Sequence, residues 1–246
     1  MVRVMTAGAV FLVPTGCSPG QEDSPAEILK AWRSATHPSE RSAALDALAT
    51  LAETDLEGFL ALFVEVRELP ERVALVRLLA GASDNQAGAV LEETARSTVE
   101  LAEVRAAAAG ALALRDPQRT RALVADLLPW IRRQPSPSAW IGAMARSRDT
   151  SNLLGIALDD GVELGARNMA IVALGEIGDR MALEPMLGLA RSPHLMPLVR
   201  HRATRVYAQL AGSEACPVLR DLRSQAIEGH VWARFLDDLI GRVCSG

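Results

Sequence analysis

Aromatic side chains are scarce in this chain of 246 residues: four Phe, four Trp and one Tyr. Ring packing therefore cannot supply the core, which must be built from Ala, Leu and Val. Such small side chains suit helices whose axes approach to about 8–10 Å. Lysine is almost missing, Lys30 being the only one, so positive charge is carried by arginine. A basic excess is also missing. The net charge of −4 argues against a nucleic-acid partner, which asks for a positive face to meet phosphates. No HExxH, GxSxG or glycine-rich phosphate loop is present, so no catalytic constellation can be assembled from motifs. His37, His194, His201 and His230 lack the paired spacing of a metal site. His194-Leu195-Met196 with His201 is the nearest approach to a soft-metal set, and surface and core roles account better for those residues. No metal and no cofactor is expected. What remains, 49% hydrophobic and 23% charged, is a globular chain with ample apolar material, in one long domain or two.

Long hydrophobic runs are absent too. Val4 to Val13 is apolar for about ten residues, half of the roughly 20 a membrane-spanning helix needs. With Arg3 before it and small residues after it, this stretch reads as a secretory signal, residues 1–16. Thr15-Gly16-Cys17 resembles the lipobox of bacterial lipoproteins, although Pro14 stands where that family prefers Leu. The resemblance implies a lipid on Cys17 and a protein held at the cell envelope, on the periplasmic face, with the outer membrane open to it because Ser18 follows the cysteine. Residues 17–25 carry proline, glycine and acids with nothing to bury, and read as a tether.

From residue 26 to 246 one phrase recurs about every 32 residues. Arg41, Arg72, Arg105, Arg167 and Arg200 mark its start. Apolar residues follow at the third, sixth and seventh positions, as in Ala108, Ala111 and Leu112 after Arg105, or Ala170, Ala173 and Leu174 after Arg167. These offsets draw one stripe on a helix of period 3.6. Ser138 and Trp232 open two degenerate copies without the arginine. About twelve residues after each marker comes an acid: Asp55, Asp84, Asp116, Asp149, Asp179, with Ser213-Glu214 in the sixth copy. Each precedes a second apolar run and reads as the N-cap of a second helix. Thr54 to Glu57 also reads as a capping box. A lone helix over residues 25–35, with Trp32 inward, and another over 230–243 close the two ends. The expected fold is all-α: an α-solenoid of about six antiparallel helix pairs with terminal capping helices.

The stretch Ala166 to Asp179, and after it Val104 to Asp116, resembles the short HEAT-like repeat of phycobilisome-lyase proteins, with graded likeness over 38–246. In that family the arginine and aspartate form a ladder between neighbouring units. The resemblance thus implies that the five marker arginines reach the Asp caps of their own or the adjacent repeat.

One interruption, residues 129–138, carries Trp130, Arg132 and Arg133. With Arg146 and Arg148 these make a candidate binding patch of the aromatic-plus-arginine kind enriched at interfaces. Cys216 and Cys244 stand under two readings: a disulfide formed in an oxidising compartment, or a small buried residue and a tail thiol. The leading expectation for function is a membrane-tethered scaffold, without catalysis, that holds a protein or peptide on its second-helix surface. The alternative is a lyase-like or chromophore-handling enzyme sharing the repeat. A nucleic-acid role is disfavoured by charge and by the signal, and the oligomeric state is left open.

Overall fold

The computed structural model describes residues 24–134 and 137–244. Cys17, the signal and most of the tether lie outside them. Among the described residues there are fourteen α-helices and no strand. They are α1 (Pro25–Ser34), α2 (Pro38–Thr54), α3 (Leu56–Glu65), α4 (Leu69–Leu78), α5 (Asn85–Arg96), α6 (Ala102–Arg115) and α7 (Pro117–Ile131). Then follow α8 (Ser138–Arg146), α9 (Thr150–Ala157), α10 (Leu164–Ile177), α11 (Leu183–Arg191), α12 (Pro197–Ala211), α13 (Cys216–Ser224) and α14 (Val231–Val243). No described helix is long and apolar enough to cross a membrane.

The contacts follow chain order. Helix α2 packs on α4, α4 on α6, α6 on α8, and so on through α10 and α12 to α14. Of the intervening helices, α5, α9, α11 and α13 pack mainly on the even-numbered helix that follows, whereas α3 and α7 pack mainly on the one before, α2 and α6. The core runs through this sequence of helices and is built as the composition demands. Ala108, Ala111 and Leu112, and Ala170, Ala173 and Leu174, are all buried, and Trp32 is half-buried against the core. Small residues permit close approach: a Cβ on Gly175 of α10 would lie 3.0 Å from Val206 Cγ2 of α12.

The aspartates cap as their positions imply. The carboxylates of Asp55, Asp84, Asp116 and Asp149 accept from the backbone N–H of Gly58, Gln86, Arg119 and Asn152 at 2.7–3.2 Å. These bonds satisfy amides that the first turn leaves free. Asp179 does the same for a 3-10 turn, Arg180–Ala182, that leads into α11. Two readings are corrected. Thr54 is the last residue of α2 and its hydroxyl donates to the Thr50 carbonyl, so Asp55 caps alone and no Thr54–Glu57 box forms. Ser213 and Glu214 sit in a 3-10 turn, Gly212–Ala215, and neither side chain caps α13.

The marker arginines behave differently from the expected ladder. Each of the five is the fourth residue of its helix. Side chains on a helix lean toward its N-terminus, so an arginine there reaches back past the helix start. What it meets is the carbonyl end of the preceding helix. Arg105, Arg167 and Arg200 donate through Nε to the carbonyls of Ala95, Ala157 and Ala190, at 2.9, 3.3 and 2.8 Å. Arg72 donates to the Phe63 and Val66 carbonyls, and Arg41 to that of Ala35. Where a carboxylate joins in, it is Glu100 for Arg72 and Asp160 for Arg167. Among the described residues, no marker arginine forms an ion pair with Asp55, Asp84, Asp116, Asp149 or Asp179. The physical reason is that those carboxylates are already engaged by amides at the opposite end of the second helix. The unsatisfied acceptors nearest each arginine are instead the last carbonyls of the helix before it.

Arg105 shows how far this goes. It is buried without a carboxylate, which lowers its guanidinium pKa, and its charge is met by the Ala95 carbonyl and by the Trp130 ring, 3.7 Å away. Arg200 repeats the construction with the Ala190 carbonyl and the Trp232 ring at 4.1 Å.

Cys216, at the start of α13, and Cys244, which ends α14, are joined by a disulfide with Cα atoms 5.8 Å apart. Of the two readings of this pair, the bridged one holds. It closes a loop of 28 residues in sequence.

Two stability experiments follow from this packing. Arg105→Met keeps bulk but removes the donor, and is expected to cost about 2–3 kcal/mol in urea unfolding, since it strips a charged hydrogen bond and leaves a buried carbonyl unpaired. An unchanged midpoint would remove the arginine from its structural role. The double change Cys216→Ala with Cys244→Ala is expected to cost about 3–4 kcal/mol on the chain-entropy estimate, read as a lower Tm than that of the oxidised protein.

Candidate functional site

The patch around Trp130 is not assembled. Trp130, on α7, is held between the Arg105 guanidinium and the edge of Trp140, whose ring centroid lies 5.8 Å away. Arg132 turns toward α9, pairing with Asp159 at 3.6 Å. Arg146 turns the other way: its guanidinium lies against Gly110 of α6, where a Cβ would come within 2.6 Å. Arg148 adopts a left-handed backbone, φ 53°, just beyond the end of α8, and donates to the Ile177 carbonyl at the end of α10. Arg133 is exposed beyond the end of α7. Of the five, Trp130 and Arg148 are occupied in holding helix ends together, and Arg132 and Arg146 point to different neighbours. Proximity in sequence suggests a patch, but the side chains go to different neighbours: Arg132 to Asp159, Arg146 to Gly110 and Arg148 to the Ile177 carbonyl.

The structure gathers a different group, at the α12–α14 end. The residues Arg200-His201-Arg202 and Arg205 lie on α12, which has no acidic residue anywhere in its length. The His201 ring stacks on Phe235 at 4.5 Å, with planes 2° apart, and on Trp232 at 5.0 Å. The Arg205 guanidinium lies 5.9 Å from the Phe235 ring centroid. Trp232 is buried and its Nε1 has no acceptor among the described residues, so stacking and packing hold the ring. His230 caps α14, its Nδ1 accepting from the Trp232 N–H at 3.2 Å.

Two clefts flank this stack. One, of about 540 Å³, runs between α10 and α12, with Val172, Glu176, Leu198 and Arg202 among its walls. The other, of about 430 Å³, lies between the α11–α12 turn and the start of α14, with Pro193, Leu195 and Trp232 among its walls. His201 lines both. Val172, Leu198 and Val231 remain exposed there, large apolar side chains on an otherwise charged surface. A further cleft of about 500 Å³ spans α4, α6 and α8, with Arg77, Glu103 and Arg146 on its walls. These three clefts all border even-numbered helices.

Sequence reasoning passed over His201, Trp232 and Phe235. The sequence offers His201 as a surface or core residue or, less well, as part of a soft-metal set, and neither reading points to ring stacking; among the described residues no three His, Cys, Asp or Glu side chains gather to hold a metal. The usable signal was the basic, acid-free run on α12. The stacking of His201 on Trp232 and Phe235 could not be seen, because it joins α12 to α14 across the intervening α13.

Burial, with Arg200, Arg205 and His230 close by, holds the His201 imidazole below its ordinary pKa of 6.5. Because the folded value is depressed, the unfolded chain takes up the proton first as pH falls. His201 therefore costs no stability above its ordinary value, and progressively destabilises the fold as pH drops below it. The Tm is expected to fall between pH 7 and 5, and His201→Phe, which keeps the stack, is expected to fall less. Parallel profiles in the two proteins would count against this assignment.

No protein-family model matches the chain, and no similar protein was found among curated sequences.

Proposed function

We propose that this chain is a membrane-tethered HEAT-like α-solenoid that serves as a protein-interaction scaffold at the cell envelope. The observation that carries the reading is the ordered packing of α2, α4, α6, α8, α10, α12 and α14, each on the next, with clefts and exposed apolar side chains along that row. A quasi-linear stack of helices offers an extended surface with fixed spacing, and exposed apolar residues beside charge mark protein contact. The surface proposed for the partner is this first-helix row rather than the second-helix surface that periodicity suggested, because the clefts described above border it. The tether is proposed from residues 1–25, with Cys17 as the anchor.

Two experiments test the reading. A photo-crosslinking residue at Val172, Leu114 or Ala139 of the full chain is expected to give discrete protein adducts in cells. The same residue at exposed Glu93 of α5 is expected to give none. Adducts absent from every first-row position would defeat the scaffold. For the anchor, Cys17→Ser is expected to move the protein from the membrane to the soluble fraction and to abolish incorporation of labelled fatty acid. Labelling that persists in the variant would remove Cys17 from the proposal.

A further inference from the structure

We infer that the α10–α12–α14 face binds an acidic peptide segment carrying two apolar side chains, one for each cleft beside His201. The inference rests on the scaffold reading and names the partner's chemistry at one end of it.

Charge is the first argument. Eleven ion pairs join acidic and basic side chains among the described residues, yet Arg202 and Arg205 have no carboxylate partner among those residues. They sit three apart on one helix and therefore on one face. Glu176 is the single acid lining the α10–α12 cleft. The chain as a whole is negative, −4, so this face runs against the overall balance. An opposite charge is what such a face complements, and a carboxylate suits the guanidinium fork.

Shape is the second. The two clefts, about 540 and 430 Å³, are separated by the His201 ring and share it as a common wall. Val172 and Leu198 at one, and Leu195 and Val231 at the other, offer apolar contact. Each cleft admits a side chain, and buried anchors flanked by charged contacts are how peptides are held in grooves. A flat anionic membrane would not enter recesses of this kind. A nucleic acid would ask for a longer basic track than two guanidiniums interrupted by Glu176.

The wall is also held in place. Phe235 and Trp232 lie on α14, and α14 is fixed to α13 by the Cys216–Cys244 bridge. The face is thus prepared before any partner arrives, which reduces the ordering cost of binding.

The test uses the oxidised full chain and fluorescence anisotropy with a labelled glutamate-rich peptide bearing two spaced leucines. Controls are the same peptide with glutamine for glutamate, the same peptide with serine for leucine, vesicles containing phosphatidylglycerol, and a DNA duplex. Saturable binding of the acidic leucine peptide is expected, weakened about tenfold or more in each peptide control and by added salt. Arg202→Gln with Arg205→Gln, both outside the core, is expected to weaken binding about tenfold with the thermal midpoint unchanged. Equal affinity for the glutamine peptide, or arginine-dependent binding of vesicles or DNA in preference to the peptide, would overturn the inference. Crosslinks confined to Leu114 or Ala139, with no peptide binding at α12, would overturn it too while leaving the scaffold reading intact.

Discussion

The packing depends on one repeated contact: an arginine at the fourth position of a helix capping the carbonyl end of the helix before it. Five such contacts join α1 to α2, α3 to α4, α5 to α6, α9 to α10 and α11 to α12. A helix end leaves carbonyls without partners and carries the negative end of the dipole. In a stack of short helices these ends recur at one level, away from water. Arginine is suited to them because its guanidinium presents several donors in a plane and stays charged. The contact also sets register, since a helix that slid by one residue would carry its arginine off the carbonyl. Stability and alignment therefore come from the same atoms.

The two junctions without a marker arginine carry substitutes. At α7–α8 the marker position is Ser138, and Trp130 of α7 meets Trp140 of α8 edge to face. At α13–α14 the marker position is Trp232, and the Cys216–Cys244 bridge joins the two helices covalently. Each substitute makes a specific cross-helix link that does not need a guanidinium. In both places the tryptophan, Trp130 or Trp232, also covers the arginine of a neighbouring even-numbered helix, Arg105 or Arg200. A lost cap is thus compensated twice, once across its own junction and once by shielding an adjacent cap.

What was legible in the sequence was local. Offsets of three, six and seven placed the buried face of α6, α10 and α12, because helical period is a property of the chain itself. The aspartates announced the starts of the second helices, because a carboxylate and the amides it caps lie within three residues. The arginine's partner was misread for the complementary reason. A backbone carbonyl ten residues upstream has no letter of its own, and the aspartate of a familiar pairing does. The patch at residues 129–148 failed similarly: Arg146 and Arg148 are two apart in sequence, yet one lies over Gly110 and the other reaches Ile177. Side-chain direction at a helix end is decided by the turn that follows, which composition does not encode.

Net charge, which argues against a polyanion at the level of the whole chain, also conceals where charge is available. Many of the acids are spent on helix amides or in ion pairs, as Asp116 and Glu92 are. Many arginines are spent on carbonyls. What is left to meet a partner is whatever the architecture does not consume. On α12, Arg200 is consumed by the Ala190 carbonyl, whereas Arg202 and Arg205 lie two and five residues further on, turned away from the preceding helix end. One helix therefore divides its positive charge by position, the fourth residue holding the fold in register and the later ones facing a cleft. Later positions on such a helix can vary without disturbing the cap, so the charge they carry is set independently of the contact that holds the helices in register.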